Sequence, residues 1–177
     1  MGNLRNKYTE EEWNNLEIKT MSYKLSNNSR NRLEGVHPFI VRVIELGIIE
    51  SPEDFGIPRY GGLRTSKDQA ELYAIGRTVD VGIRKPVTYV DGVNKESNHQ
   101  IKPSGYGEAV DFYIYCHLKS KATWNADRLT LVARHLQKVA LEVSKEREEW
   151  DNLYLEWGGD WERFKDMPHL QLARRKN

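Results

Sequence analysis

The sequence predicts an α+β fold in which a small, mostly antiparallel sheet is flanked by helices. Helical stripes and short apolar strands follow one another irregularly, without the strand–helix–strand repeat of a parallel sheet. Asp-Gly and Gly-Gly pairs next to the strand-like segments favour tight, hairpin-like turns. The 177 residues suffice for one globular domain but not comfortably for two. We therefore expect a single α+β domain.

Three helices are predicted in the body of the chain. Pro38 favours a helix start and precedes apolar residues that share one side of a helix, namely Phe39, Val43, Ile44 and Leu46. Ser66 and Gln69 have the spacing of a capping box, and Gly76 stands where that second helix would end. The strongest helical stripe follows Asn125 and Asp127, either of which can cap it, and consists of Leu129, Val132, Leu136, Val139, Ala140 and Val143.

Four segments have the character of strands. Val87–Val90 runs into the turn pair Asp91-Gly92, and 109–115 is the clearest strand of the chain. Two further short strands, 153–157 and 168–172, lie on either side of Gly158-Gly159.

The first residues differ from the rest of the chain. Thr9 and Glu12 have capping-box spacing, which predicts a short helix over 11–16 before the polar run 26–29 breaks the pattern. We therefore expect a helical N-terminal extension over 1–28 and one main domain over 29–177.

Composition and charge exclude several classes of protein. Lys and Arg number 27 against 26 Asp and Glu, and this net charge of +1 argues against a nucleic-acid partner. Charged residues break every apolar run, so we expect no membrane insertion. The N-terminus lacks the apolar stretch of a secretory signal, so we expect a cytoplasmic protein. Cys116 is the single cysteine; we expect it to be buried and inert, and any bound metal to rely on His, Asp and Glu.

Three residues are candidate metal ligands. Asp111 points away from its apolar strand neighbours, and His169 shares a strand face with Gln171 in the segment 168–172. His99 lies between polar turn residues. Two histidines and one aspartate are ligand types that leave a fourth zinc position open for water. Spacing alone does not decide between this reading and ordinary surface residues, because no two of these residues lie one helical turn apart.

The other histidines and several polar residues stay open as alternatives. His117 is a rival ligand, whereas a capping or packing role suits His37 and His135 better. Arg64 precedes a capped helix and can orient a carboxylate or stabilise an oxyanion, or it is an ordinary surface arginine. No Gly-x-Ser-x-Gly elbow, P-loop or dinucleotide glycine pattern occurs.

Several ordered segments together resemble a known family, the L-alanyl-D-glutamate peptidases found as phage endolysins. The resemblance runs from Ser29 to Leu172 and is carried by 33–38, 63–65 with Gln69, 72–74, 76–78, 97–100, 107–111, 157–161 and 166–169. This family belongs to the zinc peptidases that include D-alanyl-D-alanine carboxypeptidases and the hedgehog domain. The resemblance implies a hedgehog- or DD-peptidase-like fold with one zinc ion in a surface cleft.

Matched position by position, the resemblance assigns roles to the candidate residues. His99, Asp111 and His169 match the three zinc ligands, and Asp166 matches the general base three residues before the last ligand. Arg64 matches the arginine at the scissile region, while Gln69 and Ser97 match positions that line the cleft. Glu108 and Asp160 are rival bases that lack the family's spacing. The segment 101–105 resembles an insertion between the first two ligands, and a shorter separation is usual in the family.

The implied activity is zinc-dependent hydrolysis of the L-Ala-D-Glu bond in peptidoglycan, by a monomeric enzyme that lyses the host cell. The implied enzyme accumulates in the cytoplasm and reaches the wall once the membrane is permeabilised. Two alternatives remain open from the sequence. One is a D,D- or L,D-carboxypeptidase that trims stem-peptide ends, and the other is a non-catalytic, zinc-bearing wall-binding module.

Overall fold

The computed structural model describes residues 22–175, which form helices and two small antiparallel sheets. Four helices of at least five residues occur in this part of the chain: α1 (Asn27–Asn31), α2 (Pro38–Gly47), α3 (Ser66–Ala74) and α4 (Ala126–Val143). The strands are β1 (Phe55–Gly56), β2 (Ala109–Asp111), β3 (Tyr113–Cys116), β4 (Lys121–Thr123), β5 (Leu153–Trp157) and β6 (His169–Arg174). The predicted α+β class with antiparallel pairing is confirmed.

The predicted helices form for the predicted reasons, with small shifts at their ends. Pro38 occupies the first turn of α2, and the His37 ring accepts a hydrogen bond from the backbone N–H of Phe39 at 3.2 Å. Thr65 and Asp68, one residue before the predicted pair, form the capping box of α3. Asn125 caps α4, whose apolar stripe is buried against α2 and β5.

The predicted strand over 109–115 is two strands in different sheets. One sheet has the order β1-β3-β4 and the other β2-β6-β5, and the chain passes between them at Phe112. The Phe112 N–H leaves the ladder and donates to the carbonyl of Pro168 at 3.1 Å. Because Phe112 is fully buried among apolar residues, the polarity pattern of the segment gives no sign of the break.

The strand predicted over 87–90 does not form. The segment bends at Val87 and Tyr89 and pairs with no strand of the described chain. A buried side chain takes the place of a neighbouring strand, because the Gln69 amide donates to the Val90 carbonyl at 2.8 Å and to the Thr88 hydroxyl at 3.2 Å.

The helix predicted over 11–16 lies outside the described residues. Within them, Leu25 packs in the main hydrophobic core and α1 begins at Asn27, so the chain joins the core before position 29. The boundary between 28 and 29 stays a prediction. Among residues 22–175, no helix has the length and apolar character needed to cross a membrane.

Candidate metal centre

Strand pairing brings two of the candidate ligands together. Asp111 is the last residue of β2, His169 is the first residue of β6, and the antiparallel register places them directly opposite each other. Directly opposed residues of antiparallel strands present their side chains on the same face. The Oδ1 atom of Asp111 accordingly lies 3.0 Å from the Nδ1 atom of His169.

The third candidate ligand, His99, comes from a turn that the backbone holds in place. Its carbonyl accepts the Arg64 N–H at 2.9 Å, and its ring Nδ1 lies 2.9 Å from the carbonyl oxygen of Gly62. A carbonyl only accepts, so Nδ1 carries the proton and Nε2 keeps the lone pair. A Cβ at Gly62 would lie 1.7 Å from the carbonyl oxygen of Arg32, so the backbone can approach this closely only with glycine.

Three electron-pair donors therefore converge on one point. The Nε2 atom of His99 lies 3.3 Å from both His169 Nδ1 and Asp111 Oδ1, and both imidazoles are buried. Within the described chain this is the one group of His, Cys, Asp or Glu side chains close enough to share a metal ion. Lone pairs that face one another repel unless a proton or a cation lies between them. The donor set consequently fits a metal ion.

The surroundings favour the metal-binding forms of His99 and Asp111 but act differently on His169. Burial lowers the pKa of His99 and keeps that ring neutral. Burial alone would raise the pKa of Asp111, but the neighbouring imidazoles and the Arg64 guanidinium hold it well below its usual range. Burial also acts against a charge on His169, yet its hydrogen bond to the Asp111 carboxylate raises the pKa of this ring.

Asp166 lies next to the three donors, in the turn that leads into β6. Its N–H donates to the carbonyl of Gly158 at 3.0 Å, and its carbonyl accepts the His169 N–H at 3.1 Å. A Cβ at Gly158 would lie 2.5 Å from the Asp166 carbonyl oxygen, so glycine is needed for this packing. Burial and then the charge of Asp111 raise the pKa of Asp166 to about 6. A carboxyl group that titrates near neutrality can both accept and return a proton.

The Arg64 guanidinium is anchored on three sides. Its Nε donates to the Tyr60 carbonyl at 2.6 Å, one terminal nitrogen donates to Gln69 Oε1 at 3.1 Å, and the other pairs with Asp111 Oδ2. The two oxygens of Asp111 thus have different partners, because Oδ2 faces the arginine and Oδ1 faces the imidazoles. This pairing fixes which carboxylate oxygen points at the candidate metal.

The donors line a surface cleft of about 600 Å³. Arg64, Ser97 and Asp166 line the same cleft. Gln69 does not: it is 1% exposed and lies behind Arg64. Aromatic side chains supply much of the remaining wall, namely Tyr60, Tyr89, Trp124, Trp161 and Phe164.

The predicted insertion is a surface turn that does not itself line the cleft, although the Lys102 ammonium lies 3.5 Å from the carboxylate of Glu96, which does. Ile101 and Gly107 form an antiparallel bridge, and the Lys102 N–H donates to the Tyr106 carbonyl at 2.8 Å. Gly105 has a φ of +85°, which only glycine adopts without strain. Among the described residues, those at 101–105 do not line the cleft.

The rival residues lie elsewhere. His37 caps α2 and His135 contacts the Gly47 carbonyl at 2.8 Å, as their predicted roles imply. His117 pairs with Asp54 at 2.8 Å, away from the three donors. Glu108 and Asp160 form ion pairs with Arg174 and Arg134.

Cys116 differs from its prediction. It is partly exposed rather than buried, because β3 lies at the protein surface there. A hydrogen bond from Arg128 lowers the pKa of its thiol.

Sequence reasoning missed the residues that orient the ligands. The Gly62 carbonyl gives no signal in a sequence, because every residue carries a carbonyl. Gln171 does give one, since strand alternation places it on the face of His169, and its Oε1 lies 3.1 Å from the His169 Nε2 atom. Gln171 in turn donates to Glu156 of the neighbouring strand β5, and the Trp161 indole also donates to Glu156.

Comparison with known proteins supplies relatives for this fold and site. The chain is 35% identical over 120 residues to the peptidoglycan L-alanyl-D-glutamate endopeptidase CwlK of Bacillus subtilis (strain 168); the match covers 63% of this chain and 57% of CwlK. The chain therefore spans little more than half the length of this curated relative.

A solved structure shares the fold. The crystal structure of the Serratia marcescens L-Ala D-Glu endopeptidase ChiX superposes with a TM-score of 0.60 at 27% identity, covering 88% of this chain and 93% of ChiX. The profile of the phage L-alanyl-D-glutamate peptidases matches residues 21–172, which include all three converging donors and Asp166. This chain belongs to the phage L-alanyl-D-glutamate peptidase family.

Proposed function

We propose that this protein is a zinc-dependent endopeptidase that hydrolyses the L-Ala-D-Glu bond of peptidoglycan stem peptides. One observation carries the proposal: His99, Asp111 and His169 present three converging donors in an open cleft, with Asp166 beside them. Family membership and the printed activities of CwlK and ChiX support the choice of bond.

The spacing of the donors fits zinc. Two donors bonded to a tetrahedral zinc ion at about 2.0–2.1 Å each lie about 3.3–3.4 Å apart. The three separations here are 3.0, 3.3 and 3.3 Å, so the side chains need little movement to bind this ion. Zinc bound by His99, Asp111 and His169 would lower the pKa of a coordinated water to about 7 and polarise the scissile carbonyl.

Asp166 is the general base of the proposed reaction. Its pKa of about 6 leaves the carboxylate ionised at neutral pH while keeping it basic enough to accept a proton from the attacking water. The same carboxyl then donates that proton to the departing amine of D-Glu. One residue thus performs both transfers, and the proton balance of peptide hydrolysis closes.

Arg64 and Gln69 act together on one side of the site. Three of the five guanidinium N–H groups of Arg64 hold the Tyr60 carbonyl, Gln69 and Asp111, and the other two remain for the scissile carbonyl oxygen as negative charge develops on it. Gln69 positions Arg64 from behind. Ser97 lines the cleft and its hydroxyl accepts the His99 N–H at 3.3 Å, so we assign it to the substrate-binding wall.

The proposal extends to biological role. The family description names phage enzymes, which supports the role of an endolysin. The proposal includes a monomeric enzyme that is stored in the host cytoplasm and acts on the wall after membrane permeabilisation. The ligand set His99, Asp111 and His169, with Asp166 three residues before the last ligand, also supports the proposed kinship with D-alanyl-D-alanine carboxypeptidases and the hedgehog domain.

Digestion of purified murein tests the activity. We expect mass spectrometry to find new L-alanine carboxyl termini and D-glutamate amino termini, lost on chelation and restored by zinc. Release of terminal D-alanine instead would assign a carboxypeptidase. Binding to murein without any new terminus would assign a wall-binding module.

A further inference from the structure

His169 faces the metal site through Nδ1 and faces a chain of polar side chains through Nε2. Its Nδ1 lies 3.0 Å from Asp111 Oδ1, whereas its Nε2 lies 3.1 Å from Gln171 Oε1. A neutral imidazole has one N–H and one lone pair. A partner that keeps the proton of a neutral ring on Nε2 therefore leaves the Nδ1 lone pair for a metal, in competition with the Asp111 carboxylate, which attracts a proton to Nδ1.

Glu156 fixes the orientation of the Gln171 amide. The Gln171 Nε2 atom donates to Glu156 Oε2 at 2.9 Å, and a carboxylate only accepts. The amide oxygen must then face the other way, where it meets His169 Nε2 and also accepts from the Asn98 amide at 2.7 Å. Since this oxygen cannot donate, it favours a proton on His169 Nε2. The Asp111 carboxylate accepts at Nδ1 in the same way, so with Nε2 protonated the lone pair of Nδ1 becomes available once a cation displaces any proton held there.

Glu156 is held in turn by an indole and by strand register. The Trp161 Nε1–H donates to Glu156 Oε1 at 2.6 Å, so each carboxylate oxygen has its own donor. Glu156 and Gln171 are directly paired residues of β5 and β6, and alternation along β6 puts Gln171 on the face of His169. The pairing of β6 with β5 and with β2 thus fixes the positions of Glu156, Gln171 and His169.

We propose that Glu156 and Gln171 are positioning residues that impose the metal-binding tautomer on His169. We call the hydrogen-bonded series Trp161, Glu156, Gln171 and His169 the relay. The inference rests on the proposed function, because it gives the relay a role at that metal site. Trp161 and Asn98 complete the relay by occupying the remaining acceptor positions. Partners behind a metal-bound histidine typically change metal affinity by about 10- to 100-fold when they are replaced.

The relay predicts a specific failure in Glu156→Gln. The new amide offers one oxygen and one NH2 group where the carboxylate offered two acceptors. Trp161 can only donate, so it claims the oxygen, and the NH2 group then opposes the Gln171 NH2 group. Rotation of Gln171 relieves this conflict but turns its NH2 group toward His169 Nε2. The proton of the ring then moves to Nδ1 and points into the metal site.

Exchanging the two side chains should repair the relay. In the double variant Glu156→Gln/Gln171→Glu, the new amide at position 156 accepts from Trp161 and donates to the carboxylate at position 171. That carboxylate accepts from His169 Nε2 and from Asn98. Every hydrogen bond of the native relay is restored, and the negative charge now lies at position 171 instead of position 156. The single variant Gln171→Glu instead places two carboxylates against each other.

Nitrogen-15 NMR of the metal-free variants at alkaline pH reads the His169 tautomer directly, and competition with a chromogenic chelator measures zinc affinity. We expect His169 Nε2 to be protonated in the native protein and in the double variant. Glu156→Gln should shift His169 toward the Nδ1–H tautomer and weaken zinc binding by about 10- to 100-fold. Glu162→Gln, an exposed change in the neighbouring loop, is the matched control and should alter neither quantity.

Gln171→Met keeps the length of the side chain without an acceptor, so it tests the relay should Glu156→Gln fail to fold. We expect a mixture of tautomers in that variant. A native tautomer in Glu156→Gln and Gln171→Met, with unchanged zinc affinity, would overturn the inference and leave the proposed function intact. Absence of zinc binding or murein cleavage by the native protein would overturn the proposed function, and the tautomer measurement would still judge the relay.

Discussion

Asp111 and His169 are directly paired across the β2–β6 ladder, with the carboxylate Oδ1 atom 3.0 Å from the ring Nδ1 atom. Two of three candidate ligands are therefore fixed by backbone hydrogen bonds, and their separation is independent of any loop. The third, His99, lies in a turn, where its backbone bonds to Arg64 and Ser97 and its ring donates to the Gly62 carbonyl. Strand pairing therefore positions two ligands, and local hydrogen bonds in a turn position the third.

Removal of one ligand should abolish metal binding. We expect one zinc ion per native chain, and a loss of most bound zinc in His169→Ala, because two remaining protein donors bind zinc weakly. Metal analysis of the purified proteins checks this. His117→Ala, which removes a histidine outside the site, should retain the full zinc content. Undiminished zinc in His169→Ala would contradict the ligand assignment.

Neutralising Asp166 should remove catalysis and keep the metal. Asp166→Asn preserves size but cannot accept a proton, so we expect murein digestion to slow by roughly 10²–10⁴ while zinc content is unchanged. Asp160→Asn is the matched control, since Asp160 pairs with Arg134 at the surface. If Asp160→Asn or Glu108→Gln stops digestion and Asp166→Asn does not, the base is one of those carboxylates.

The same substitution should stabilise the metal-free protein at neutral pH. The folded pKa of Asp166 is about 6, above its usual 3.8, so the folded state binds the proton more tightly than the unfolded state. The stabilising contribution of protonated Asp166 is complete below about pH 4 and is lost as the pH rises through about 6. Asparagine has no charge to lose stability through ionisation. We therefore expect the free energy of unfolding of Asp166→Asn at pH 7 to exceed that of the native chain by about 1–3 kcal/mol.

Denaturant unfolding in the presence of a chelator, at pH 4 and pH 7, measures this difference. The stability gap between Asp166→Asn and the native protein should be present at pH 7 and small at pH 4. A gap of equal size at both pH values would show that packing, rather than the buried charge, is responsible.

Asp91 should contribute stability with the opposite pH dependence. Its carboxylate accepts the Lys95 N–H, the Asn94 side-chain amide and the N–H groups of Val93 and Asn94, and these bonds lower its pKa to about 2. A lowered folded pKa stabilises the fold above about pH 4, and this stability is lost as the pH falls through about 2. We expect Asp91→Asn to be less stable than the native chain at neutral pH and the difference to disappear in strong acid. Acid titrations followed by circular dichroism check this, with exposed Asp151→Asn as the control.

Shortening the surface turn should leave both zinc and activity in place. Ile101 and Gly107 are bridge partners, so an Asn-Gly pair can replace residues 102–106 and close the turn. Since the turn lies outside the cleft lining, we expect unchanged zinc content and murein digestion. Loss of zinc in this variant would show that the turn holds His99 in place.

The sequence was sufficient for the parts of the fold that periodicity and capping control. The α4 stripe, the Pro38 helix start and the antiparallel class follow from local pattern, and the structure confirms them. The break at Phe112 could not be predicted, because a strand that changes sheets keeps the same apolar alternation. Convergence of His99, Asp111 and His169 depends on long-range register, which no local pattern encodes; the family resemblance supplied it.

The pairing of β2 with β6 also has a consequence for folding. Asp111 and His169 are 58 residues apart in the chain, and His99 and His169 are 70 apart, so the unfolded chain holds these donors far from one another. Bringing them together costs loop-closure entropy that only the completed core repays. A cation that needs all three donors then binds the native state and not its precursors, and at a hundredfold excess over its dissociation constant it adds about 2.7 kcal/mol to the free energy of unfolding. Metal supply would thus set how long the folded protein resists unfolding and proteolysis.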